Sequence, residues 1–247
     1  MTYLVQRAVA SKPSLVLPGL ACDCHAHIFG PPDTYPFAAT RGYTPPPAPV
    51  SQYLAMATTV GLERAIIVQP SVYGDDNRCT LDAVEQLGRE RARAVVAVAP
   101  GTTKAALAKL YAKGARGVRF MRGGDDPAFL DSLETLAGHL ASLGMHAQLY
   151  VRPAIWKQML PVFHAAEVQV VLDHMAHLTA DQAAEAGNID TLLAALDGGR
   201  TWVKLSQYKA SLTNHPFHDA TPLAARIAAH APERCLWGTD WTHPDLT

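Results

Sequence analysis

Asp23-Cys-His25-Ala-His27 follows the apolar run Leu15-Val-Leu-Pro-Gly-Leu-Ala21 and precedes the turn-rich Phe29-Gly-Pro-Pro-Asp33. That context reads as a short buried strand ending in a loop. Residues i and i+2 of a strand point to one face. His25 and His27 therefore aim two imidazoles into one pocket. Such a pair can hold a metal, or polarise a carbonyl and move protons. Two histidines can also fall together by chance or serve as polar core residues, so the surrounding chain has to decide.

Working outward, short β-branched runs alternate with longer Ala/Leu-rich segments of helical period. The strand runs are Arg64–Gln69, Ala92–Ala99, Ala115–Phe120, Met145–Val151, Val168–Asp173, Thr201–Ser206 and Cys235–Thr239. Helices are predicted over Val50–Val60, Asn77–Glu90, Thr102–Lys113, Pro127–Leu143, Pro153–Ala166, Ala180–Leu196 and Ala220–Ala231. With the strand at His25, this makes eight strands. Near-continuous apolar strands separated by helices imply a parallel sheet covered by helices. Eight such units favour an α/β fold of the (β/α)8 TIM-barrel type over an open doubly wound sheet. No G-x-G-x-x-G follows the first strand, which argues against a dinucleotide fold. The expectation is one barrel domain over 1–247, with 1–18 as an N-terminal extension. No eighth helix follows the last strand in the stated chain. The uncovered face implies a longer protein or a second copy in a homo-oligomer.

The formal net charge of 247 residues is −1, with 17% charged residues. No basic surplus points to nucleic acid, and no acidic run forms a tail. The apolar runs are too short to span a membrane, and Met1–Ser11 lacks a signal-peptide core. A cytoplasmic location is expected. Cys22, Cys24, Cys79 and Cys235 form no paired C-x-x-C framework and read as small buried residues.

In a barrel the C-terminal strand ends share one mouth. Here those ends are rich in polar residues: His25 and His27; Gln69 and Ser71, then Asn77; Arg119 and Arg122; Tyr150 and Arg152; Asp173, His174 and His177; Lys204, Ser206 and Tyr208; Asp240 and His243. Asp173 reads as a residue that orients backbone, and Lys204 faces inward or toward the helices according to register. Trp237 and Trp241 are expected to pack around the end of the last strand.

Asp23–Gly30, Arg41-Gly-Tyr-Thr-Pro-Pro-Pro47, Val68–Ser71, Gly74-Asp-Asp-Asn77, Gly117–Phe120, Asp173-His-Met175 and Trp237-Gly-Thr-Asp-Trp-Thr-His-Pro244 resemble the amidohydrolase superfamily. The branch they resemble most contains the 2-pyrone-4,6-dicarboxylate lactonases. The resemblance implies a catalytic set of Asp240, His25, His27 and His174. It implies substrate contacts from Ser71, Arg119, Tyr150 and His243, to which the residues themselves add Asn77, Arg122 and Tyr208. The arginine that the branch places after strand seven is absent from Lys204-Leu-Ser-Gln-Tyr-Lys209, where Tyr208 or Lys209 is the nearest substitute.

The function these residues imply is a hydrolase that opens a small lactone bearing a carboxylate or sulfonate, in aromatic-acid catabolism. Asp240 would activate water, and His25, His27 and His174 would polarise the carbonyl. No obligatory cofactor is expected. Zinc or another divalent metal on His25, His27, Asp240 and His174 is the alternative, since metal-dependent relatives carry a histidine at the end of strand five, where this chain has Tyr150. A lactone isomerase, a metal-dependent decarboxylase, or an inactive barrel acting as a binding subunit are the competing readings. The partner is a small molecule, with no nucleic acid and no membrane.

Overall fold

The computed structural model describes residues 12–121, 127–185, 187–213 and 217–242. Eight parallel strands alternate with helices in the (β/α)8 order. They are β1 (Cys22–Ala26), β2 (Arg64–Val68), β3 (Ala92–Val96), β4 (Ala115–Met121), β5 (His146–Tyr150), β6 (Val170–Leu172), β7 (Thr201–Lys204) and β8 (Cys235–Leu236). The helices are α1 (Val50–Val60), α2 (Arg78–Leu87), α3 (Lys104–Ala112), α4 (Pro127–Leu143), α5 (Pro153–Ala165), α6 (Ala180–Ala184), α7 (Asn188–Asp197) and α8 (Thr221–His230). None of the described helices is long and apolar enough to cross a membrane.

The chain divides into two compact units. The first comprises Met1–Val98, Ala112–Arg116 and Gly238–Thr247. In it β1 pairs with β2, and β2 with β3, all parallel. Ile67, Val68, Ala94, Val95 and Val96 are buried, as near-continuous apolar strands require. β1 carries an irregularity between Asp23 and Ala26: three residue steps on β1 match two on β2. Such a bulge re-aims side chains, and it falls at His25.

The second unit comprises Ala99–Tyr111 and Gly117–Trp237. In it β4 through β8 pair in chain order, each parallel to the next. Val118, Phe120, Ala147, Leu149, Val170, Leu172 and Val203 are buried. α5 begins at Pro153, whose ring presets the first helical turn. Its Phe163 meets Phe120 of β4 edge-on at 5.2 Å between ring centroids.

Three expectations need correction. The predicted helix over Ala180–Leu196 is two helices, because Gly187 adopts φ +86 and turns the chain out of helical geometry. Cys22, Cys24 and Cys235 are half-buried and outside any disulfide, and only Cys79 of the four is fully buried. Trp237, directly after β8, leaves 49% of its surface exposed, whereas Trp241 is buried against Tyr53 at 5.6 Å.

Candidate active site

In the first unit the bulged end of β1 delivers His25 and His27 side by side. Their rings meet edge to face at 4.9 Å and 83°. Both converge on one carboxylate oxygen: His25 Nε2 lies 3.5 Å and His27 Nε2 3.3 Å from Asp240 Oδ1. All three side chains are buried. The far side of the His27 ring is fixed by the Val68 carbonyl, 2.7 Å from Nδ1. A carbonyl only accepts, so Nδ1 carries the proton of that bond. In the neutral ring the Nε2 lone pair then faces a carboxylate oxygen. Two acceptors held that close call for a proton or a cation between them.

The donor set fits a divalent metal. Ligand atoms of His25, His27 and Asp240 lie within 4.8 Å of one another. Two metal bonds of about 2.0–2.2 Å meeting near the tetrahedral angle span roughly 3.3–3.6 Å, which matches the 3.5 and 3.3 Å separations. The same distances suit a water bridging the base and the imidazoles.

Other predicted residues of this unit hold loops. Gln69 is fully buried at the end of β2. Its Nε2 donates to the carbonyls of Gly74 at 3.1 Å and Asp76 at 2.9 Å, and its Oε1 accepts from the Thr80 hydroxyl at 2.5 Å. Asn77 was expected to touch substrate. Its Nδ2 instead donates to the carbonyls of Asp75 and Ala97, at 2.9 and 2.7 Å, and its Oδ1 accepts from Ala97 N–H at 2.8 Å. Both amide hydrogens are thereby used, so Asn77 works as a clamp between its loop and the end of β3. Ser71 is half-buried and opens the 3₁₀ turn Ser71–Tyr73.

In the second unit the strand ends assemble a different group. Asp173, directly after β6, is fully buried. It was expected to orient backbone. Its carboxylate instead binds side chains: Arg119 Nε and Nη2 at 3.0 Å each, Gln148 Nε2 at 3.0 Å, and Lys204 Nζ at 3.3 Å. The reason is topological: β4, β5 and β7 each carry, at or within two residues of their C-terminal ends, a polar residue that reaches the same acid. Lys204 therefore faces inward, 2% exposed. The Arg119 guanidinium also lies 4.7 Å over the Tyr150 ring, a cation–π contact.

Beyond Asp173 the backbone does something no sequence signal announces. His174, Met175, Ala176 and His177 all take positive φ, from 48 to 60°. None is glycine, and each such residue costs about 1–2 kcal/mol in sustained left-handed geometry. Trp156 Nε1 donates to the Ala176 carbonyl at 3.0 Å and pins the turn. The turn places His174 and His177 around Tyr150, at 5.4 and 4.4 Å between centroids. Burial, then the neighbouring His174, drives His177 down to about 3, so its ring stays neutral over the working range. Its Nε2 is buried without a hydrogen-bond partner among the described residues. Strain gathered beside polar residues marks a functional segment more often than a structural one.

Arg122 and His243, both expected at the site, lie outside the described residues, as does the side chain of Tyr208. The segment after Tyr208 is held by Asp219, which accepts from the Ser211 hydroxyl at 2.5 Å, Leu212 N–H at 2.6 Å and the Thr213 hydroxyl at 2.8 Å. These bonds, Ser211 first, lower its carboxyl from 3.8 to about 2. A depressed carboxyl lends stability above its unfolded value, and that stability is lost as pH falls from 3.8 toward 2. Asp219→Asn should flatten the fall in unfolding midpoint over that window. An unchanged slope would show that these bonds contribute nothing.

A family model described as amidohydrolase matches residues 22–247. The chain is 34% identical over 248 residues to a 2-pyrone-4,6-dicarboxylate hydrolase of Comamonas testosteroni, covering 96% of this chain and 81% of that protein. It is 32% identical over 243 residues to a 4-sulfomuconolactone hydrolase of Hydrogenophaga intermedia, covering 92% and 76%. Among solved structures, a probable 2-pyrone-4,6-dicarboxylic acid hydrolase of Acinetobacter baumannii, with citric acid bound, superposes with a TM-score of 0.78. The identity is 26%, over 91% of this chain and 85% of that one.

Proposed function

This chain belongs to the amidohydrolase family, and from that membership we propose that it opens the ring of a small lactone bearing a carboxylate or sulfonate. The observation that carries the reading is the convergence of His25 and His27 on Asp240, at 3.5 and 3.3 Å. A buried carboxylate between two imidazoles is a base with proton partners at hand. In the proposed reaction Asp240 takes a proton from water as the oxygen attacks the lactone carbonyl. His25 and His174 stabilise the oxyanion, and His27, whose Nδ1 proton is held by the Val68 carbonyl, joins them through Nε2 once a proton or a cation sits between it and Asp240. The C–O bond of the ring then breaks, and the proton passes to the departing ring oxygen. An enol or alcohol leaving group needs less protonation than an amine, so one carboxylate can serve both steps.

Arg119 and Tyr150 are the groups proposed to receive the substrate's acid group. Two cations, Arg119 and Lys204, share the single carboxylate of Asp173. Buried cations gathered at these strand ends suit an anionic ligand. Ser71, Tyr208, Arg122 and His243 complete the proposed contacts. The acids acted on by the Comamonas and Hydrogenophaga relatives are of this kind by name.

His25, His27 and Asp240 would be the residues to hold a divalent ion, which when bound supplies Lewis acidity at the carbonyl. We hold such an ion not to be obligatory, because Tyr150 ends β5 where metal-dependent relatives carry a histidine. The test is a panel of 2-pyrone-4,6-dicarboxylate, muconolactones and sugar lactones in oxygen-18 water, before and after dialysis against a chelator. Ring opening with one labelled oxygen, surviving chelation, is expected. Product without label would make the enzyme an isomerase, and loss of rate restored by zinc would make the metal essential.

A further inference from the structure

Asp240 does not reach the two imidazoles by its rotamer alone. It sits at φ +49, a left-handed conformation that a non-glycine residue avoids. Something must hold it there, and the neighbouring bonds show what does. Asp23, two residues before His25, is fully buried. Its Oδ1 accepts from Thr239 N–H at 2.9 Å and from His25 N–H at 3.1 Å. Its Oδ2 accepts from the Thr239 hydroxyl at 2.6 Å and from the Tyr53 hydroxyl at 3.2 Å. The Thr239 oxygen in turn accepts Trp241 N–H at 3.0 Å. Asp240 N–H donates to the His25 carbonyl, and His27 N–H to the Trp241 carbonyl, each at 2.7 Å.

The residues on both sides of Asp240 are thus tied to the strand that carries the histidines, and one carboxylate anchors both ends of the tie. Gly238 completes the approach. A Cβ there would lie 2.7 Å from His25 N and 2.8 Å from His25 Cβ, so a larger residue would push the whole segment off β1.

We propose that Asp23, Thr239 and Gly238 are positioning residues: together they hold Asp240 in its left-handed conformation and set its distance from His25 and His27. The inference rests on Asp240 acting as the base. It goes beyond that reading by assigning the geometry to a buried acid that touches no substrate.

The test compares Thr239→Val, which keeps the shape but removes the hydroxyl, with Thr239→Ser, which keeps the hydroxyl. Amide exchange over 238–242 reads the tie without any substrate. Thr239→Val should exchange faster there. Its kcat should fall roughly 10- to 100-fold with KM little changed, the loss expected when a reacting group is misplaced by about 1 Å. Thr239→Ser should recover most of the rate. Gly238→Ala should show the same kcat loss with the hydroxyl intact, which separates position from hydrogen-bond chemistry. Wild-type exchange in Thr239→Val would overturn the tie. Faster exchange with wild-type kcat would overturn its role in positioning. If Asp240→Asn keeps its turnover, the base assignment fails instead, and the exchange measurement tells the two failures apart.

Discussion

Asp240→Asn abolishes lactone opening while the protein keeps its fold. Removing a general base costs on the order of 10²–10⁴-fold in rate, and here the loss should lie at or beyond the upper end. The same carboxylate is proposed to take the proton from water and to pass it to the ring oxygen. The fold should survive because the backbone around Asp240 is held independently of its carboxylate. Asp240 N–H bonds the His25 carbonyl at 2.7 Å, and Trp241 bonds Thr239 and His27 on the far side. The new amide can also donate to the His27 Nε2 lone pair that now faces Asp240 Oδ1 at 3.3 Å, so no buried acceptor is stranded. The measurement is kcat on whichever lactone the panel identifies, alongside the unfolding midpoint. Turnover above about a tenth of wild type, in a folded variant, would remove Asp240 from the reaction and leave the imidazoles to carry it.

The pattern of the chain made the architecture legible, and the reason lies in period. Runs such as Arg64–Val68 and Val170–Leu172 are too short and too uniformly apolar for surface helices. Their neighbours are too long for strands. The i, i+2 spacing put His25 and His27 together correctly, although a bulge, not plain alternation, does the final aiming. What could not be read is local geometry that contradicts propensity. Nothing in His174-Met-Ala-His177 announces four left-handed residues, since each is a poor choice for that region and only the surrounding packing enforces it. Asp23 sat in plain view two residues before His25, on the same face. Its role depends on Thr239, 216 positions away, and single-sequence reasoning has no access to such a pair. Asn77 reads in the sequence only as a polar residue at a helix start; that its amide hydrogens go to the carbonyls of Asp75 and Ala97 is visible in the structure alone.

Asp173→Asn should produce the largest loss of stability of any single polar substitution at the strand ends. The acid is fully buried and holds two buried cations, Arg119 at 3.0 Å and Lys204 at 3.3 Å. Coulomb attraction between such groups roughly offsets the cost of desolvating them while the set is complete. Removing one member leaves the others uncompensated, at about 3–5 kcal/mol. Here one removal takes a shared carboxylate away from two buried cations, so a loss within that range is expected. The damage should also spread locally. Asp173 N–H is fixed to the Leu149 carbonyl at 3.0 Å, and the left-handed run His174–His177 begins at the next residue. With the carboxylate gone, that run keeps its backbone strain and loses its anchor, so amide exchange over 174–178 should rise before the unit unfolds globally. Equilibrium denaturation gives the magnitude, and Lys204→Met in the same chain supplies the control. If the penalty comes from unpaired cations, deleting one cation recovers a measurable part of it, because residues in one network do not add independently. If Asp173→Asn costs less than about 1 kcal/mol, as an ordinary surface change does, then water or a mobile side chain already neutralises the group. The acid would then not be what organises the ends of β4, β5 and β7.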